Sequence, residues 1–176
     1  EERNGTVYHI IVHAAHRIQG YVQHYLHDEL VTLNGSDVVT APAHFNQKVK
    51  ITTRSGLSAE TAYASVVSTF SEIWTTAHRG DGLANILMEV QSVSNQTYSD
   101  TFPQQMPLPT SILDGALLYD PRTGTTEFSK NIALFRLFHL THPSGGKLAI
   151  TDLYLPDWIT AANSCDEDVI NHTGGI

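Results

Sequence analysis

The sequence predicts an α+β domain in which two amphipathic helices pack on a curved, mainly antiparallel sheet of about five strands, as a roll or half-barrel. Three observations predict it. Two long segments, 6–33 and 58–78, space their apolar residues three and four apart. The segments after residue 80 instead alternate or run apolar over short stretches. Turn residues then join several of them as hairpins, which favours an antiparallel sheet with the helices on one side.

In the first segment Val7, Ile11, Ala14, Ile18, Tyr21, Val22 and Tyr25 form the stripe, Thr6 is the N-cap, and Asn34-Gly35 ends the helix. Residues 45–53 read as a strand, with Phe45, Val49 and Ile51 on one face and Lys48 and Lys50 on the other. The second helix carries Ala62, Tyr63, Val66, Val67, Phe70, Ile73, Trp74 and Ala77, with Gly80 as its stop. Residues 84–93 place Ile86, Met88 and Val90 on one strand face. Residues 112–119 form a further strand with a bulge or bend at Asp114-Gly115, followed by turn chemistry at 120–124. The apolar run 132–140 reads as a central strand, and 147–155 returns from Pro143-Ser144-Gly145-Gly146 as its hairpin partner. Residues 156–162 suggest a short terminal helix. The expected organisation is one domain over 1–176, with loosely held termini at about 1–5 and 164–176.

Hydrophobic residues make up 41% and charged residues 16%, so the expected surface is polar rather than strongly charged. A net charge of −8 argues against nucleic acid, whose phosphates need Lys and Arg. No apolar stretch is long enough for a transmembrane helix. Protonating all ten histidines would take the formal charge to +2. Cys165 is the single cysteine, so no internal disulfide forms, and its acidic neighbours disfavour a reactive thiolate.

Four Asn-x-Ser/Thr sequons occur, at Asn4, Asn34, Asn95 and Asn171, and they hold half of the eight asparagines. Chance predicts about one or two. All four fall where turns or termini are expected, and the opening Glu1-Glu2-Arg3-Asn4 fits a processed chain. The expected setting is therefore secreted and extracellular, with glycans at those four positions.

The first segment holds His9, His13, His16, His24 and His27. Stepped at about 100° per residue on a helix, they share one stripe opposite the apolar face. A solvated polar face is the plainest reading. A metal held by His24, His27 and Asp28 is another, since residues three or four apart on a helix can share an ion. The third is a pH sensor built from all five. Elsewhere, the expected hairpin brings His139 near Asp152, a candidate acid–base pair. No family motif, phosphate loop or nucleophile elbow is matched.

These observations lead to a secreted, N-glycosylated binding module, responsive to pH through the histidines. It needs no cofactor, and its partner is a protein, a glycan or a small molecule. The alternatives are a small pocket enzyme and a self-assembling subunit that forms homo-oligomers.

Overall fold

The computed structural model describes residues 2–168. The chain divides into two compact units, Glu1–Ala116 and Leu117–Ile176. The first holds β1 (Glu2–Arg3), β2 (Thr6–Ala14), β3 (Ile18–Leu26), β4 (Glu29–Leu33), β5 (Val39–Ala41), β6 (Val49–Ser55), α1 (Ala64–Thr69), β7 (Ala84–Gln91), the single turn α2 (Tyr98–Thr101) and most of β8 (Pro109–Asp120). The second holds the end of β8, then β9 (Thr125–Phe128), α3 (Ile132–Thr141) and α4 (Leu155–Cys165). The class is α+β with antiparallel sheets, as expected, but the arrangement differs: the strands form two sheets, and no pair of long helices lies on one curved sheet.

The largest correction is the first segment. Residues 6–33 form three strands, β2 to β4, and not a histidine-rich helix. The three-four spacing arises because strand alternation is interrupted. A bulge lies between Val12 and Ala14, the chain turns at 15–17, and a second bulge lies between Tyr21 and Gln23. Each interruption shifts the inward parity by one, which mimics a helical period. β3 and β4 are joined by His27-Asp28, whose φ values of 50° and 65° are the positive pair of a two-residue hairpin turn. The second long helix shrinks to α1, after which the chain continues in turns to Gly80. The β-branched run Val66-Val67 and the crowding of Ser and Thr weaken helix propensity there.

In the first unit one sheet has the order β1-β2-β7-β6, and β5-β4-β3-β8 make up the other. Their facing sides enclose Leu26, Val31, Val39, Phe45, Val49, Ile51, Ile86, Met88, Val90 and Phe102. The expected inward set of β7 and the inward Val49 and Ile51 of β6 are thus observed, while Phe45 reaches this core from a 3-10 turn, Ala43–Phe45. The first sheet is also covered on its outer side, where Leu87 meets Tyr63, Val66 and Phe70, with Tyr8 and Trp74 packed against them. β7 is therefore buried on both faces.

In the second unit the end of β8 pairs with β9 across the turn at 121–124. The run 132–140, expected as a strand, is α3. Its cap is Asn131, whose Oδ1 accepts the N–H groups of Ala133 and Leu134. Residues 147–155 form no returning strand. Instead the Gly145 and Gly146 amides close on carbonyls at the end of α3, at His142 and His139. The terminal helix is longer than expected, as α4. Arg122 binds the buried Asp120 and reaches Asp166 at 2.7 Å, while Asn131 donates to Ala162 O and to Asp166. Arg122 holds the carboxyls of Asp120 and Asp166 below the usual range. This network ties the β8–β9 turn, the start of α3 and the end of α4 together. Among the described residues no helix is long and apolar enough to cross a membrane.

Candidate functional site

Two places in the first unit combine polar chemistry with burial. One lies between the sheets. On β2, His9 shares the inward parity of Val7 and Ile11, which pack against the inner core, and His13 is the bulged residue between Val12 and Ala14. His13 Nδ1 lies 3.1 Å from the Tyr21 hydroxyl on β3. The Tyr21 ring stacks on His24, with centroids 5.4 Å apart. His24 is buried, and its Nδ1 lies 2.8 Å from Ser111 Oγ on β8. The sequence His13–Tyr21–His24–Ser111 thus bridges the two sheets. Burial lowers the pKa of His9, His13 and His24; nearby His13 lowers that of His24 further and Asp37 opposes the shift. Burial also pushes the Tyr21 hydroxyl up to about 12. All three imidazoles are therefore set to be neutral at pH 7.

Of the five histidines expected on one helical stripe, these three share the space between the sheets. His16 sits in the β2–β3 turn with Nδ1 2.9 Å from Arg17 O. His27 is in the β3–β4 turn beside exposed Asp28. His24 spends its Nδ1 on Ser111 and points inward, while His27 and Asp28 belong to the turn. Among the described residues no group of three His, Cys, Asp or Glu is arranged around a common metal position. His139 lies exposed on α3, and Asp152 lies exposed in a 3-10 turn, Ile150–Asp152. The hairpin expected to join them does not form. Cys165 is an exposed free thiol at the end of α4. The asparagines Asn4, Asn34 and Asn95 are exposed in turns, and Asn34 Oδ1 accepts from the Ser36 and Val38 amides. Asn171 lies outside the described residues.

The second place is the outer face of the first sheet. Residues 56–82 are folded onto it by Glu60, a buried carboxylate whose Oε1 accepts the Gly56 and Leu57 amides at 3.0 and 2.8 Å. Asp81 Oδ1 in turn accepts the Glu60 amide. This clasp leaves two adjoining hollows of about 240 and 230 Å³, which share Ile10 and Trp74. Val12, Tyr63 and Leu83 wall the first; Tyr8, Val66, Phe70 and Ile73 wall the second. Three of these apolar residues face solvent, Ile10 at 39%, Val12 at 52% and Ile73 at 57% exposure. Trp74 Nε1 is buried without a hydrogen-bond acceptor among the described residues. Sequence reasoning missed this place because Trp74, Phe70 and Tyr63 at helical spacing read as core. The usable signal was Ile10-Ile11-Val12, three β-branched residues in a row, which as a strand must send some to each face.

In comparison with known proteins, the chain matches no family model and no curated protein sequence.

Proposed function

We propose that this chain is a secreted, N-glycosylated binding module, that its binding surface is the outer face of the first sheet, and that acid loosens it through the inner histidines. The observation that carries the binding reading is the exposed apolar patch of Ile10, Val12 and Ile73 around the two hollows at Trp74. Such side chains have room in a core or at a contact, and a contiguous exposed patch of them marks a contact. Secretion is supported by the exposed, turn-borne position of all three described sequon asparagines, since a glycan requires an exposed backbone.

The test of the secretory part is the intact mass of the naturally produced protein, with peptide mapping of Asn4, Asn34 and Asn95. Enzymatic deglycosylation is expected to lower the mass by more than one glycan and to mark these asparagines. A naturally produced chain with no carbohydrate at any of them overturns this part of the reading.

A further inference from the structure

We infer that the outer hollows take a small apolar acid, a compact hydrocarbon or aromatic body bearing a single anionic group. This rests on the binding-module reading and gives its surface a ligand chemistry. The walls set the body of the ligand. Ile10 and Trp74 belong to both hollows, so one molecule can lie across the indole edge with Val12 and Leu83 on one side and Ile73 and Phe70 on the other. Each hollow alone is below the usual size of a ligand pocket, about 300–1,000 Å³, and the two together fall within it.

The charge is set by the rim. The protein carries a net charge of −8, yet among the described residues no Asp or Glu lines either hollow. The ionisable side chains there, apart from the tyrosines, are His78 and Arg79. Arg79 binds Asp81 through Nη2, which leaves the rest of its guanidinium fork for a second anion. His78 lies tilted against Trp74 with ring centroids 4.9 Å apart, and its Nδ1 accepts the Thr75 amide, so that nitrogen is already engaged within the protein. Trp74 supplies the third, independent observation: its buried N–H has no acceptor among the described residues, and buried donors left so are costly unless a partner comes from elsewhere. A carboxylate or sulfonate oxygen is a suitable acceptor for it.

The test uses two fluorescent probes of the same shape class on the full chain at pH 7.5. One is the anionic 1-anilinonaphthalene-8-sulfonate; the other is the uncharged N-phenyl-1-naphthylamine. The anion is expected to bind at one site, at least about tenfold more tightly than the neutral probe, a difference of about 1.4 kcal/mol. Arg79→Gln is expected to abolish that preference while leaving the neutral probe bound, and Arg79→Lys to restore part of it. Trp74→Phe, which keeps an aromatic ring and removes the N–H, is expected to weaken the anion more than the neutral probe. Thermal melts identify variants that fail to fold, and Ile73→Asp, at an exposed position, then serves as the alternative block to both probes. Equal affinity for the two probes overturns the acid, and binding unmoved by Trp74→Phe, Arg79→Gln and Ile73→Asp overturns the site, though either result leaves a binding module standing. Absence of binding by both probes removes the ligand inference and the apolar binding surface together.

Discussion

Gly56→Ala is expected to lower the stability of the first unit by about 3 kcal/mol, seen as a shifted midpoint in urea. Gly56 follows β6 with φ +81°, a conformation that side chains rarely adopt. A Cβ there would lie 2.9 Å from both Ala84 N and His16 O. Both are backbone atoms, so neither can rotate away. The residue is also the first donor to the Glu60 carboxylate, at 3.0 Å. Displacing it opens the clasp that holds 56–82 over the outer face, so the variant should also lose probe binding at Trp74. Gly115→Ala is the control: a Cβ there meets nothing within 4 Å, and the residue has no positive φ. A Gly56→Ala protein as stable as the parent would mean that the chain at 16, 56 and 84 is not held this closely.

Acid is expected to destabilise the same unit, beginning as the pH falls below about 6.5. His9, His13 and His24 all have pKa values lowered by burial from 6.5. In the unfolded chain these imidazoles take up protons first, so below 6.5 the unfolded state binds more protons than the folded one. The stability they contribute is complete above 6.5 and is lost progressively until the folded values are passed. The groups facing His24 are Tyr21, Ser111, His13 and Asp37; only Asp37 favours the charged imidazole. His24→Gln keeps a polar side chain and is expected to flatten the stability profile between pH 7 and 5. A profile of the same slope in that variant would assign the acid response to other groups. The mechanism differs from repulsion along a solvent-facing stripe, because the charge is resisted by burial between the sheets.

β6, β7 and the turn after β8 were legible because their signals were unambiguous. Ile86, Met88 and Val90 alternate with no interruption, and Val49 and Ile51 are separated by lysines. Asp120-Pro121-Arg122-Thr123-Gly124 is turn chemistry whatever surrounds it. The first 33 residues were misread because His27-Asp28 makes a tight turn without the glycine that usually marks one, and two bulges shift the parity of the strands. The run from Ile132 to Leu140 is apolar enough to suit a buried strand or a helix, and periodicity alone does not separate them. Asn131 was the deciding residue, since its side chain caps two amides. Of the candidate residues, His9, His13 and His24 do share one environment, though for a reason of sheet geometry. The hollows at Trp74 could not be read in advance, because they depend on where a buried glutamate folds a loop that has almost no regular structure.

The pairing of β2 with β7 sets an order of events during synthesis. Thr6 finds its partner at Gln91, and Ala14 at Ala84. The β3–β4–β5 strands can close on themselves as soon as they leave the ribosome, since their partners are neighbours in sequence. β2 has only the two-residue β1 beside it in sequence, and its run Ile10-Ile11-Val12 must wait, unpaired toward β7, until the residues up to 91 have emerged. The nascent chain therefore passes through a stage in which β2 is less protected than the strands that follow it, and a holdase that recognises short β-branched segments would find its target there. Asn4 and Asn34 are translated well before that stage ends, on a polypeptide whose first sheet has not yet formed.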